Sequence, residues 1–371
     1  MKILIYLGHP AHFYVYRNSI QNWEREGHKV FILIKKKDVL EDLLRAAGMT
    51  YFNILEEGRV DSTFGIFVGM LKRTVRLFSF CVRNRPDILT GTSVENSLVG
   101  RLLFIPVINV NEDDAAVVSL YAKLSYPLAN SILNPSVCCS GRWDKKAIKY
   151  HSYHELAYLH PDHFIPEKRI ADKYLLSDKP YFLIRLAKLT AYHDNGIRGI
   201  EAEIAEHIIE LLKPYGAVYI SAERELETQF EKYRIVINPL DMHHVMAFAQ
   251  LYIGDSQTMA AEAGVLGVPF VRYNDFVGRI GYLKELEDVY KLGFGIRTQE
   301  PEELYTTISD LVIMPDRKEI FQHRRQKMLS EKINYADFLT WFVSSYPKSA
   351  KIMKRNPQYQ DRFNKKKISA G

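Results

Sequence analysis

Histidines, carboxylates and one small, polar helix start are the residues of this chain that could do chemistry. Near the N-terminus, Gly8-His9-Pro10-Ala11-His12 follows an apolar run and carries two imidazoles. A neutral imidazole titrates near physiological pH, so His9 and His12 can accept a proton or hold a phosphate. Alternatively, one of them caps the helix that begins near Phe13. The run Asn111-Glu112-Asp113-Asp114 also follows an apolar stretch. Glu112 and Asp113 can orient an acceptor hydroxyl or bind a divalent ion, or they complement the dipole of the next helix. Gly91-Thr92-Ser93, with Glu95 in the turn beyond, reads as an anion-donating loop or as an ordinary cap.

The second half holds the better-defined pattern. In YIGDSQTMAAEAGVLGVPF, residues 252–270, Asp255 precedes a helix opened by Ser256, Gln257 and Thr258. The first N–H groups of that helix lack partners and its dipole is positive there, which suits a diphosphate. Glu262, about one turn further in, suits a ribose diol because a carboxylate accepts two hydroxyl hydrogens. A tight packing corner explains the Ala and Gly of this stretch but not Ser, Thr and Glu together. Glu262→Ala is therefore expected to weaken nucleotide binding with little loss of stability. Arg185 closes another apolar run and can grip a phosphate or pair with a carboxylate. In NPLDMHHVMAFA, Asp241 reads as a helix N-cap. His243 and His244 then fall in the first turn, able to meet a base or phosphate or merely to serve the cap.

YHSYHELAYLHPDHF contains His151, His154, His160 and His163. The spacings are not those of a zinc site, no cysteine accompanies them and Pro161 interrupts, so no metal is expected. The stretch reads instead as a hinge whose His154 and Glu155 point into a cleft, together with His193 and Asp194 of AYHD.

These residues need elements to position them. Apolar runs of strand length recur at Ile3–Leu7, Val30–Ile34, Tyr51–Leu55, Asp87–Thr90, Val107–Val110 and Ile132–Leu133. A second set follows at Tyr181–Ile184, Val218–Ser221, Ile235–Asn238, Leu251–Gly254, Phe270–Arg272 and Phe294–Arg297. Segments of helical spacing lie between them, including 13–26, 198–213 and 300–312. Alternating strand and helix predicts an α/β fold of two doubly wound parallel sheets. The expected domains are 1–165 and 166–333, divided within Tyr150–Ser177. Residues 334–371 are expected to pack back on the first domain and end in a loose basic tail. Ligands collect beyond the carboxyl ends of parallel strands, so two such sheets facing each other would line one cleft.

The chain has 371 residues, 47% of them hydrophobic and 25% charged, as in ordinary globular proteins. No apolar run reaches the roughly 18–20 residues that span a bilayer. MKILIYLGHP reads as a first strand, and three cysteines offer no disulfide framework, so a cytoplasmic protein is expected. The net charge of +6 is unevenly placed. Residues 62–85 form either a basic amphipathic helix that touches a membrane surface or a solvated helix face. No nucleic-acid-binding module is present, and no nucleic-acid partner is expected.

The chain resembles the GT-B fold of nucleotide-sugar enzymes. Its C-terminal half is similar to the non-hydrolysing UDP-N-acetylglucosamine 2-epimerases, whose D-S-G-G-x-x-E-E-A-x-x-L-G-x-P motif binds the UDP diphosphate and ribose. Asp255, Ser256, Glu262, Ala263 and Leu266-Gly267-Val268-Pro269 match it, whereas Gln257 and Thr258 replace its two glycines. GHPAH, YHELAYLHP, AYHD, GDSQTMAAEA and NDFVGRIGYLKELE together resemble a GT-B-like family of uncharacterised prokaryotic proteins. The resemblance implies a metal-independent glycosyltransferase that uses a UDP-activated sugar in surface glycan or glycolipid biosynthesis. It implies a glycan or lipid-linked acceptor, Arg185 or Arg279 near the phosphates, His9 or His12 as base, and no cofactor beyond the substrate. A sugar-nucleotide 2-epimerase with Glu95, Glu112 and Asp113 as acid/base candidates is the alternative, and a non-catalytic nucleotide-sugar-binding protein is a third.

Overall fold

The computed structural model describes residues 1–35, 38–55, 63–187 and 198–364; His193 and Asp194 lie outside them. The chain divides into two units, Met1–Tyr158 with Lys332–Gly371, and Leu159–Glu331. Among the described residues no helix is long and apolar enough to cross a membrane.

The first unit alternates β1 (Lys2–Leu7), α1 (Pro10–Arg25), β2 (Lys29–Lys35), α2 (Asp38–Ala46), β3 (Tyr51–Leu55) and α3 (Thr63–Asn84). It continues through β4 (Ile88–Gly91), α4 (Val94–Leu103), β5 (Val107–Val110), α5 (Ser119–Ser125), β6 (Ser131–Pro135) and β7 (Ala147–Tyr150). All seven strands pair in parallel, in the order β3-β2-β1-β4-β5-β6-β7. Helices cover both faces, which is why β1 and β2 read as unbroken apolar runs. On one face Leu4, Leu33 and Leu89 pack with Leu77 and Cys81 of α3 and Val99 of α4. The strand order reverses between β1 and β4, where ligands of such sheets collect.

The second unit holds α6 (Lys168–Ala171), β8 (Tyr181–Leu186), α7 (Ala202–Leu212), β9 (Ala217–Ala222), α8 (Met242–Ala247) and β10 (Leu251–Gly254). Then come α9 (Gln257–Leu266), β11 (Phe270–Tyr273), α10 (Gly281–Lys284), β12 (Gly293–Ile296), α11 (Pro301–Ile313) and α12 (Arg317–Glu331). Its five strands are also parallel, in the order β12-β11-β10-β8-β9, with the reversal between β8 and β10. Register sets Gly254 beside Arg185 on one side and Arg272 on the other, at the carboxyl edge.

Two expectations are corrected. Ile235–Asn238 is not a strand. Its backbone reaches the sheet only where the Ile235 N–H donates to the Ile220 carbonyl, and Pro239 then removes a donor and starts a short 3₁₀ turn. The basic tail is not loose as far as Phe363. After α13 (Tyr335–Ser344), α14 (Lys348–Arg355) buries Ala350 and Met353, and Gln360 accepts the His151 N–H at 2.7 Å. Helix α13 is held to α1 because Trp23 Nε1 donates to the Thr340 carbonyl at 3.1 Å and Ser19 Oγ to that of Ala336 at 3.2 Å.

Gly91 ends β4 at φ +130°, and a Cβ there would sit 2.6 Å from the Tyr6 carbonyl oxygen. Neither the conformation nor the backbone neighbour tolerates a side chain. Gly91→Ala should therefore lower the free energy of unfolding by about 1–3 kcal/mol, read from the urea midpoint.

Candidate functional site

In the second unit the corner between β10 and α9 gathers polar groups at the carboxyl edge of the sheet. Ser256 is the N-cap of α9, and its Oγ accepts the Met259 N–H at 3.4 Å. Gln257 and Thr258, the first helical residues, are half-buried, and helix geometry leaves their N–H groups without helical partners. From Met259 onward the helix is buried and slim. Gly264 is required there, since a Cβ would stand 2.9 Å from the Phe270 ring.

One turn inside, Glu262 is 5% exposed and its Oε1 lies 3.0 Å from His243 Nε2. His243 sits in α8, and Phe164 meets its ring edge-on at 6.1 Å. The carboxylate is thus fixed in orientation by a buried imidazole. This changes the expectation for Glu262→Ala, which would leave His243 buried without its carboxylate and cost about 1–3 kcal/mol of stability. His244 turns elsewhere, its Nδ1 accepting the Glu167 N–H at 3.0 Å, and burial holds its pKa below the usual value. Asp241 makes no side-chain cap; it accepts the Tyr174 hydroxyl at 2.6 Å.

Arg185, at the end of β8, donates to Ser221 Oγ at 2.6 Å and pairs with Glu223, while its Nε is buried without a hydrogen-bond partner among the described residues. Arg279 is exposed on the turn after β11. Asp255 accepts the N–H groups of Ala187 at 2.7 Å and Ile200 at 3.3 Å, so its carboxylate braces backbone. Burial nevertheless pushes its pKa up to about 6.

Tyr252 was not evident from sequence, where it reads as one more apolar strand residue. Its side chain is wholly buried, and its hydroxyl has no hydrogen-bond partner among the described residues. The hydroxyl lies 2.6 Å from where a Cβ on Gly254 would be, so the glycine makes the space it occupies. Burial raises its pKa well above the ordinary value, which keeps it a donor at any working pH. A buried, unpaired hydroxyl costs about 1–3 kcal/mol, so this donor is a candidate for a role beyond packing. The strand period of two, which puts Tyr252 on the same face as Gly254, was the available signal.

In the first unit the turn after β5 carries the acidic run. Asn111 donates to the Tyr126 hydroxyl at 2.8 Å, and Asn134 donates to the Asn111 carbonyl at 3.0 Å, which fixes the turn. Helix α5 begins only at Ser119, so Glu112 and Asp113 do not lie in its first turn and the dipole reading fails. Instead Glu112 Oε2 stands 3.2 Å from His154 Nδ1. His154 Nε2 is buried without a hydrogen-bond partner among the described residues, and its ring stacks on Tyr335 at 5.3 Å. Burial, then the Glu112 charge, push the Asp113 carboxyl up to about 7. Asp113 thus adjoins the Glu112–His154 contact.

Glu155 is wholly buried in the short 3₁₀ turn His154–Ala157. His9 is the N-cap of α1, which starts at Pro10 rather than Phe13, its Nδ1 accepting the Ala11 N–H at 3.2 Å. His12 Nδ1 accepts the Gly8 N–H at 3.2 Å, and the two rings are 6.1 Å apart. Glu95 is 5% exposed and held by Arg73 Nε at 2.6 Å and by Ser93 Oγ at 2.8 Å. Among the described residues no group of three or more His, Cys, Asp or Glu side chains could hold a metal ion.

Residues 1–284 match the model of a family described as "Protein of unknown function (DUF354)". The chain belongs to the DUF354 family. No curated protein matches this DUF354 chain in sequence. Among solved structures it is similar to the UDP-GlcNAc 2-epimerase from Neisseria meningitidis bound to UDP-GlcNAc. That match has a TM-score of 0.65 at 15% identity, over 93% of this chain and 100% of that one. It is also similar to a co-structure of S. aureus MnaA with UDP, at TM-score 0.66 and 14% identity over 94% and 97% of the two chains. The spinosyn forosaminyltransferase SpnP aligns at TM-score 0.62 and 14% identity over 93% and 98%. At such identities the likeness shows the fold, and this DUF354 chain has the GT-B α/β architecture of two parallel sheets with interleaved helices.

The raised Asp113 carboxyl has a direct consequence for stability. An acid whose folded pKa lies above its unfolded value stabilises the fold at low pH, and the benefit is lost as pH rises through the folded value. Its neighbours Glu112, His154 and Asp114 all enter the same balance. Asp113→Asn should therefore melt close to wild type at pH 4 and several degrees above it at pH 8, the gap opening between about pH 4 and 7. Parallel melting curves across that range would show that the Asp113 carboxyl is not raised in the folded protein.

Proposed function

We propose that the chain is a metal-independent glycosyltransferase that takes a UDP-activated sugar and passes it to a glycan or lipid-linked acceptor in surface glycan or glycolipid biosynthesis. The observation that carries this reading is Glu262, buried and held by His243 at 3.0 Å, one turn beyond a helix start with open N–H groups. In this reading the diphosphate accepts from the N–H groups of Gln257 and Thr258 and lies in the positive field of α9. The ribose hydroxyls donate to Glu262, and the Tyr252 hydroxyl donates to an oxygen of the donor. Arg185 and Arg279 supply positive charge at the same sheet edge.

Transfer joins the acceptor oxygen to the anomeric carbon as the bond from that carbon to the phosphate oxygen breaks. UDP leaves with the electron pair, and the helix start stabilises the charge it gains. The acceptor proton passes to a general base, for which the imidazoles of His9, His12 and His154 are the candidates. Fold-level likeness to a forosaminyltransferase and to UDP-bound proteins supports a nucleotide-sugar ligand.

One observation favours a second reading, a 2-epimerase. Asp113, whose carboxyl burial pushes up to about 7, lies beside the Glu112–His154 contact, and such a cluster can supply an acid and a base. The two readings separate cleanly in heavy water. Transfer releases UDP only when an acceptor is present, whereas epimerisation exchanges the hydrogen at the second carbon of the sugar with none.

Calorimetric titration with UDP tests the shared premise. Glu262→Gln should lose on the order of tenfold in UDP affinity while the protein stays folded. Tyr252→Phe should lose roughly three- to tenfold in affinity, yet its unliganded form should be no less stable than wild type, because an unpaired buried hydroxyl has been removed. Substitutions of His154 or Glu112 should slow turnover and leave UDP affinity unchanged. A Tyr252→Phe variant that binds UDP like wild type would remove that hydroxyl from the site.

A further inference from the structure

The outer surface of α3 is unlike that of the other helices. Leu77 and Cys81 face the sheet. Leu71, Val75, Phe78 and Val82 follow at the i, i+4, i+7, i+11 spacing of one helical face, and all four are exposed, by 38–57%. Beside them runs a second exposed row, Lys72, Arg76 and Arg83. Scattered exposed apolar residues are ordinary, but a continuous row on one helix is a contact surface.

The neighbouring helices extend the same chemistry. Helix α3 lies beside α4, and α4 beside α5. Helix α4 ends in exposed Leu102 and in Phe104, which is 89% exposed, while α5 exposes Leu120 and Leu124. Arg101 and Lys123 are exposed among them. Across α3, α4 and α5 the only acid is Glu95, which is buried and already bonded to Arg73. Among the described residues these three helices therefore present cations and apolar groups with no exposed carboxylate of their own.

We propose that this face, centred on α3, docks on an anionic phospholipid bilayer. The apolar row enters the boundary between headgroups and acyl chains, and the basic row meets lipid phosphates. Charge decides between occupants. A second copy of the chain would bring the same cations against these, which opposes pairing. A nucleic acid would match the charges but leave Leu71, Val75 and Val82 without a partner. A bilayer of anionic lipid matches both rows at once. The inference stands on the first unit alone and does not rest on the nucleotide reading.

The test is flotation of the full-length chain with phosphatidylcholine vesicles, with and without about one-third phosphatidylglycerol. Binding should require the anionic lipid and fall steeply between 0.1 and about 1 M salt. The triple variant Lys72→Glu, Arg76→Glu, Arg83→Glu should lose on the order of a hundredfold or more in vesicle affinity, since each charge near an anionic surface is worth about fivefold. A Leu71→Ser, Val75→Ser, Phe78→Ser variant should keep salt-sensitive attraction but bind at least about tenfold more weakly. Both sets change exposed side chains, so circular dichroism and UDP affinity should match wild type.

Equal binding to neutral and anionic vesicles, or no binding by the folded protein, would overturn the proposal. So would vesicle binding that survives both sets of substitutions, which would assign it elsewhere in the chain. Light scattering supplies the remaining contrary outcome: a dimer abolished by the serine variant would show that a second copy covers this face.

Discussion

The carboxylate of Asp255 is the constraint around which the second unit is arranged. It accepts the N–H of Ala187 just past β8 and that of Ile200 ahead of α7, while its own carbonyl accepts Asn274 Nδ2 at 2.8 Å just past β11. Asn274 in turn accepts the Phe276 N–H at 3.0 Å and an Arg272 Nη1 hydrogen at 3.2 Å, and Arg272 is paired with buried Glu287 at 2.8 Å. Three strand ends are tied through one residue. That bracing holds the start of α9 at the sheet edge. Burying a carboxylate this deeply is unfavourable and pushes its pKa up to about 6, while two backbone donors offset part of the penalty.

Among the described residues, buried polar groups differ in how far they are satisfied. Arg272, Glu287, Asn274 and Asp255 bond one another or the backbone and serve the architecture. The Tyr252 hydroxyl, Arg185 Nε and His154 Nε2 are buried without hydrogen-bond partners among the described residues. Native folds leave few such atoms, since each costs free energy that a better-matched residue would avoid. Tyr252 and Arg185 stand at the reversal of strand order in the second sheet, where parallel sheets take their ligands.

Much of this was legible in the residues. Apolar runs flanked by helical spacing located most strands, because strands covered on both faces admit few polar side chains. Ser256, Gln257, Thr258 and Glu262 stood out because their chemistry did not suit a mere packing corner. Other features depend on contacts far apart in sequence. His243 and Glu262 are nineteen positions apart, and nothing local announces that they pair. Glu112 looked like a dipole partner only while α5 was assumed to begin at once. Asp241 has the residue type of a cap, but the Tyr174 hydroxyl, 67 positions away, takes its carboxylate. Ile235–Asn238 has strand composition, and tertiary context overrode it. Strand β7, with only four residues and two of them half-buried, gave too short a pattern to be recognised.

A crystal structure with UDP bound tests the central claim most directly. The account predicts diphosphate oxygens within hydrogen-bond distance of the Gln257 and Thr258 N–H groups, ribose hydroxyls on Glu262 with its His243 contact kept, and a ligand oxygen on the Tyr252 hydroxyl. A saturated crystal with that corner empty, or with UDP seated elsewhere on the chain, would contradict it.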